Sequence, residues 1–96
     1  MMVLVTYDVN TENIQGKKRL RQVAKLCQSY GQRVQNSVFE CLIDPVQWTD
    51  FKYKLEKIAD KDSDSLRYYF LGRNWKTRVE HFGTKESYDP EGVLMI

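Results

Sequence analysis

The segment Val3–Asn10, VLVTYDVN, is what the rest of this chain must be built around. Its alternation places Val3, Val5, Tyr7 and Val9 on one face of a strand over residues 2–9, with Leu4, Thr6 and Asp8 on the other. The first face demands a covering layer. The second ends in a carboxylate placed at the end of the most apolar segment, where an unpaired charge costs several kcal/mol or shifts its pKa to avoid ionising.

Two segments can supply the layer. From about Gln15 to Tyr30, Leu20, Val23, Ala24 and Cys27, flanked by Leu26 and Tyr30, recur at helical spacing, and Gly31 follows where a left-handed cap is expected. The second helix announces itself chemically. Asp44 can cap the free amides, Pro45 suits the first helical position, Gln47 completes a capping box and Ile43 can staple against Trp48. Trp48, Phe51, Leu55, Ile58 and Ala59 form its apolar stripe, and the polar run Asp60–Asp64, DKDSD, ends it.

The remaining apolar segments read as strands. RVQNSVFECLI, Arg33–Ile43, is rich in β-branched and aromatic residues and long enough to hold a bend or bulge. SLRYYFLG, closed by Gly72, is the next, followed after the basic loop RNWKTR by a shorter candidate, Val79–Phe82. The YDPEG turn separates a last apolar tail, Val93–Ile96. The predicted order is therefore β, α, β, α, β, β, β, with both helices on one side of the sheet. This is a ferredoxin-like α+β sandwich in a single domain over residues 1–96, without internal repeats or linkers.

Composition narrows the class. A chain of 96 residues buries only about two-thirds of its unfolded surface, so a dimer would add needed stability. The longest apolar runs are a few residues, against the about 18 that mark a membrane span, and no signal peptide is evident; the expectation is a cytoplasmic protein with no membrane partner. Cys27 and Cys41 lie in periodic apolar segments and read as reduced core residues. One side of the sheet, bearing Leu4, Tyr69 or Phe70, and Leu71, is too apolar for water, and a two-fold sheet-to-sheet homodimer would bury it. Such an axis brings two copies of Asp8 together. Like charges at close range need a proton or a cation between them, and Mg²⁺ takes one or two carboxylates while keeping several waters, so Asp8 is a candidate half of a shared metal site.

Net charge is only +2, so any argument for nucleic acid rests on where the cations sit. GKKRLRQVAK holds Lys17, Lys18, Arg19, Arg21 and Lys25 with no acid among them, against the preference of a helix start for negative side chains. Lys18, Arg21 and Lys25 share one face, as phosphate contacts require; a solvated face is the alternative. GRNWKTR sets Arg73, Lys76 and Arg78 around Trp75, a mixture suited to phosphate contact and stacking, or to a surface loop with an anchoring tryptophan. His81 is the sole histidine, which excludes a histidine pair or a histidine-rich zinc site and leaves at most a lone base. Asp8 itself has a bland alternative, capping the loop that follows it. No phosphate-binding glycine loop, G-x-S-x-G elbow or Cys-x-x-Cys is present.

MVLVTYDV followed by KKRLRQVAKLCQSYGQRVQNSVFECLID resembles the CRISPR-associated protein two family, the small nuclease-like subunit of the spacer-acquisition machinery. The likeness spans the whole chain, and its strongest marks are Tyr7-Asp8 at the strand end and Arg33 with Ser37-Val38-Phe39. RNWKTRVEHFG is similar to the branch found with type I-C systems. The resemblance implies a ferredoxin-like homodimer whose C-terminal strand, here 93–96, extends the partner's sheet. It also implies metal-dependent phosphodiesterase activity on double-stranded DNA or RNA, and a non-catalytic role bridging dimers of the CRISPR integrase subunit. By position, Asp8 matches the metal-binding aspartate and Tyr7 its neighbour, while Arg33, Ser37 and Phe39 match the arginine and motif around the second strand. Arg19 and Arg21 fall where the family has early-helix arginines.

Two Asp8 side chains would hold Mg²⁺, with Mn²⁺ the alternative, which lowers the pKa of bound water and polarises the scissile phosphate while arginines offset the added charge. A purely scaffolding subunit that grips duplex DNA through the basic helix is the first rival. An RNA-recognition module, which has the same order of elements and stacks bases on sheet aromatics, is the second; SLRYYFLG has the aromatics but lacks the expected glycine.

Overall fold

The computed structural model describes residues 1–83, so the expected turn Tyr88–Gly92 and the C-terminal strand over 93–96 lie outside the described residues. The elements follow in the order β1 (Met2–Asp8), α1 (Ile14–Tyr30), β2 (Gln32–Gln35), β3 (Val38–Leu42), α2 (Pro45–Ile58), β4 (Ser65–Phe70) and a single helical turn α3 (Trp75–Arg78). The strands form one antiparallel sheet in the order β2-β3-β1-β4, with β1 between β3 and β4, the two strands that α2 joins. This is the ferredoxin-like α+β arrangement that the hydrophobic pattern predicts.

Its connectivity differs from the expectation in one respect. RVQNSVFECLI is not a single strand but a hairpin that reverses between β2 and β3, with an irregular register between Arg33 and Gln35. Apolar alternation runs through the segment, but Gln35-Asn36-Ser37 interrupts it with residues that favour turns. The extra strand lets β1 pair with β3 from Met2 against Leu42 to Thr6 against Val38. The amide of Tyr7 donates to the Ser37 carbonyl at 3.1 Å, tying the reversal to the sheet axis.

The candidate strand Val79–Phe82 is overturned. These four residues have no regular structure, and Phe82 is fully exposed, so they offer no face for the sheet to bury. The preceding basic loop contains α3 instead, entered through Gly72, whose φ of +79° belongs to the left-handed region that glycine tolerates.

Gly31 corrects a third expectation. Its backbone is extended (φ −160°, ψ −165°), not left-handed. Space selects glycine here, because a Cβ would run into the Cys41 Sγ and the Glu40 carbonyl where α1 hands over to the sheet. α2 begins as its chemistry dictates: Asp44 accepts from the Gln47 amide at 2.7 Å and the Gln47 side chain accepts from the Asp44 amide at 3.0 Å.

Val3, Val5 and Tyr7 of β1 pack with Phe39 and Cys41 of β3 against Val23 and Cys27 of α1 and Phe51 and Leu55 of α2. Trp48 meets Tyr68 and Phe70 edge-on, at 4.8 and 5.6 Å between ring centroids, closing the β4 side. Phe70 therefore belongs to the helix side. The uncovered face of the sheet carries Leu4, Thr6 and Asp8 in β1, with Tyr69, Arg67 and Ser65 directly across in β4. Cys27 and Cys41 are free and fully buried, and burial pushes both thiols up to about 12, which leaves them inert packing residues.

Candidate functional site

β1 delivers its terminal carboxylate to the surface. Asp8 is exposed on the uncovered face, and among the described residues it has no hydrogen-bond or ion-pair partner. The tension between an apolar strand and a terminal charge is thus resolved by exposure. It also overturns the alternative in which Asp8 caps its loop, because other side chains do that work. Asn10 Oδ1 accepts from the Glu12 amide at 2.9 Å, Asn13 Oδ1 accepts from the Gly16 amide at 2.8 Å, and Asp64 accepts from the Asn10 amide at 3.0 Å.

Asp64 is the residue that sequence reading misses. It sits in DKDSD, a run that reads only as a turn, yet its side chain is wholly buried and both its oxygens are saturated. Oδ2 accepts from Arg19 Nε at 2.8 Å and the Asp60 amide at 2.9 Å; Oδ1 accepts from the Asn10 amide and from Arg19 Nη2 at 3.2 Å. The Arg19 guanidinium, working against the desolvation cost and helped by the Asp60 and Asn10 amides, holds the Asp64 carboxyl down at about 2. No local signal in the sequence marks the pair; the structure shows Arg19 as a half-buried cation among exposed ones. Asp8, Glu12, Asp62 and Asp64 line one shallow depression, but no group of three metal-ligating side chains forms among the described residues.

The other motif residues lie on the opposite side of the sheet from Asp8. Tyr7 faces the helices, stacks on Phe39 at 6.2 Å and donates its hydroxyl to the Asn36 carbonyl at 3.3 Å. Burial raises its pKa, partly countered by its hydrogen bond with Arg33. The Arg33 guanidinium lies 5.1 Å from the Phe39 ring centre, and Ser37 contributes the carbonyl that holds the Tyr7 amide. Tyr7, Arg33, Ser37 and Phe39 therefore converge on one another around the hairpin turn, and Asp8 is not brought to them.

The basic residues divide likewise. Lys17, Lys18, Arg21 and Lys25 are exposed along α1 with no ion-pair partner among the described residues, whereas Arg19 is committed to Asp64. Near α3, Arg73 is exposed, Arg78 Nη1 donates to the Leu71 carbonyl at 2.7 Å, and Lys76 lies 5.5 Å from the Trp75 ring. His81 is exposed in the irregular segment that follows.

The family model described as "CRISPR associated protein Cas2" matches residues 1–79. The chain belongs to the Cas2 family. Its similarity to curated Cas2 proteins runs end to end. It is 60% identical to the CRISPR-associated endoribonuclease Cas2 of Chlorobaculum tepidum over 96 residues, covering all of both chains. It is 58% identical to the CRISPR-associated endonuclease Cas2 of Halalkalibacterium halodurans, again over all of both chains. Among solved structures, Streptococcus pyogenes Cas2 at pH 6.5 superposes with a TM-score of 0.77 and 63% identity, covering 86% of this chain and all of that one.

Family membership sharpens the rejection of the RNA-recognition alternative, which the sheet also argues against. The uncovered face of β3 carries Val38, Glu40 and Leu42, while its aromatic, Phe39, is buried under the helices. Tyr69 is the one aromatic of β1, β3 and β4 on the open face, too few for a base-stacking platform. No helix among the described residues is long and apolar enough to cross a membrane.

Proposed function

We propose that this Cas2 protein is a Mg²⁺-dependent endonuclease, hydrolysing phosphodiesters in double-stranded DNA or single-stranded RNA, and the DNA-binding subunit of a spacer-acquisition complex with the CRISPR integrase subunit. The observation that carries the reading is Asp8: an exposed carboxylate, unpartnered among the described residues, at the end of an inner strand on the sheet face opposite the two helices. The names of its relatives, endoribonuclease in one case and endonuclease in another, support the reaction class and leave the choice of substrate to experiment. The segment RNWKTRVEHFG supports placement with type I-C systems.

The donor set fits the proposed metal. One carboxylate per chain, in no group of three or more His, Cys, Asp or Glu side chains that could hold an ion among the described residues, is unlike a zinc site or a closed calcium cage. It suits Mg²⁺, which retains most of its waters, and Mn²⁺ as a substitute. The Asp8 carboxylates of two protomers would hold the ion, which supplies a more acidic bound water and a Lewis acid for the phosphate. The protein's own residues bind and orient. Lys18, Arg21 and Lys25 hold the backbone of the nucleic acid, and the Tyr7–Arg33–Phe39 cluster keeps the hairpin turn against β1. Leu4 and Tyr69 form the apolar part of the proposed dimer face.

A scaffold without catalysis is the second reading, favoured by the sparseness of that same site. Cleavage of linear double-stranded DNA and single-stranded RNA by wild type and Asp8→Asn, with Mg²⁺ or with chelator and with binding recorded in parallel, separates the two. The expected outcome is metal-dependent cleavage that falls at least 100-fold in Asp8→Asn while binding is retained. Cleavage absent from both, or equal in both, makes Asp8 dispensable and leaves a DNA-bridging scaffold.

A further inference from the structure

We infer that Arg19 and Asp64 are positioning residues for Asp8, so that one of the basic residues of the first helix serves the geometry of the reaction and not the grip on nucleic acid. The inference rests on the nuclease reading of Asp8.

The geometry on which it stands is a clamp across three segments. Asp64 reaches the β1–α1 loop through the Asn10 amide, α1 through both donors of the Arg19 fork, and the end of α2 through the Asp60 amide. Arg19 Nη2 adds a bond to Ser63 Oγ at 3.3 Å. Four charge-assisted or amide bonds on two oxygens leave the carboxylate no freedom to turn. What it holds is the surroundings of Asp8. Asn10 lies two residues beyond Asp8, and Ser65, the residue after Asp64, is the cross-strand partner of Asp8 in the β1–β4 ladder. The backbone that carries the Asp8 carboxylate is therefore fixed from the loop side and the ladder side by one buried side chain. The clamp is seated further by Gly16, where the absence of a Cβ lets the Asn10 carbonyl come against α1.

The Asp8 side chain makes no orienting bond among the described residues, and an exposed side chain on a strand end otherwise samples several rotamers. A small displacement of a reacting group can cost on the order of 100-fold in rate. Fixing the backbone on both sides of an otherwise free carboxylate is how this fold can limit that loss. A cation whose fork is used on a buried carboxylate is also a poor phosphate contact, which separates Arg19 from Lys18, Arg21 and Lys25.

The test uses full-length wild type, Arg19→Lys, Asp64→Asn, Asp8→Asn and the triple variant Lys18→Ala/Arg21→Ala/Lys25→Ala. Measured are kcat and KM on the substrate that wild type cleaves, the Mg²⁺ concentration for half-maximal rate, the salt dependence of binding, and amide hydrogen exchange at residues 8–10. For Arg19→Lys and Asp64→Asn, kcat should fall at least 10-fold with KM within about twofold, half-saturating Mg²⁺ should rise at least fivefold, and the Asn10 amide should exchange at least 10-fold faster. Arg19→Lys, which keeps the charge but not the fork, should lie between wild type and Asp64→Asn. The triple variant should instead raise KM and flatten the salt dependence.

A folded Asp64→Asn with kcat and Mg²⁺ requirement within twofold of wild type overturns the inference while leaving the nuclease reading intact. A raised KM with unchanged kcat in Arg19→Lys overturns it in favour of a phosphate contact. Unfolding of both clamp variants makes the pair a stability device only, and overturns it too. Wild type inactive, or Asp8→Asn as active as wild type, removes the nuclease reading and the inference with it.

Discussion

At the scale of single residues, Asp8 and Asp64, which lie at the same Asp8–Ser65 end of the β1–β4 ladder, have opposite environments. The Asp8 side chain is open to solvent with no partner among the described residues, while the Asp64 side chain is buried and bonded four times. The difference has a pH signature. Because the folded-state pKa of Asp64 is lowered to about 2, below its value in an unfolded chain, its contribution to stability is fully present above the ordinary carboxylate range and is lost as pH falls through about 2. Thermal unfolding from about pH 6 down to about pH 2 should show Tm falling less steeply in Asp64→Asn than in wild type, from a lower starting value. Equal slopes would mean that the clamp does not form in solution. The motif residues show the complementary lesson. Tyr7 and Asp8 are adjacent in sequence and sit on opposite sides of the sheet, because successive side chains of a strand alternate.

At the scale of elements, α1 has three kinds of face. Val23 and Cys27 are buried against the sheet, Arg19 reaches across to the α2–β4 connection, and Lys17, Lys18, Arg21 and Lys25 remain in water. The unpaired cations at a helix start, where the dipole disfavours them, are what a phosphate backbone would satisfy. Replacing Lys18, Arg21 and Lys25 with Ala should weaken duplex binding at least 10-fold and reduce the slope of log affinity against log salt by about 0.9 for each phosphate no longer neutralised, without altering the circular dichroism. Unchanged affinity would move the grip to the Arg73–Arg78 segment. Helix positions were legible because the spacing of apolar residues and the Asp44–Gln47 box are local signals. The β2–β3 reversal was not, since apolar alternation continues on both sides of the Gln35-Asn36-Ser37 interruption and a local pattern does not say whether the chain bends or turns back.

At the scale of the whole molecule, the sheet has one finished face. Both helices, with Trp48 wedged against Tyr68 and Phe70, seal the side that carries Val3, Val5 and Phe39. The other side presents Leu4 directly across from Tyr69, with Asp8 at the end of the same row. On the proposed dimer, burial of this row and approach of the two carboxylates are one event. Leu4→Lys combined with Tyr69→Lys should therefore yield a monomer by sedimentation equilibrium and lose cleavage together with dimerisation, while each chain keeps its secondary structure. A dimer that survives both substitutions would place the interface elsewhere.

Periodicity and short-range chemistry were enough to specify the ferredoxin-like α+β class, the two helices, the face of β1 that each side chain occupies and the candidacy of Asp8, because each depends on residues a few positions apart. Folding in three dimensions was needed to settle which cation of the first helix is engaged, which face Phe70 joins, that Gly31 is selected by space and not by a left-handed turn, and that Asp64 matters at all. Those facts depend on which segments meet. Arg19 and Asp64 are 45 positions apart in the chain, and nothing in the local pattern around either one specifies the other.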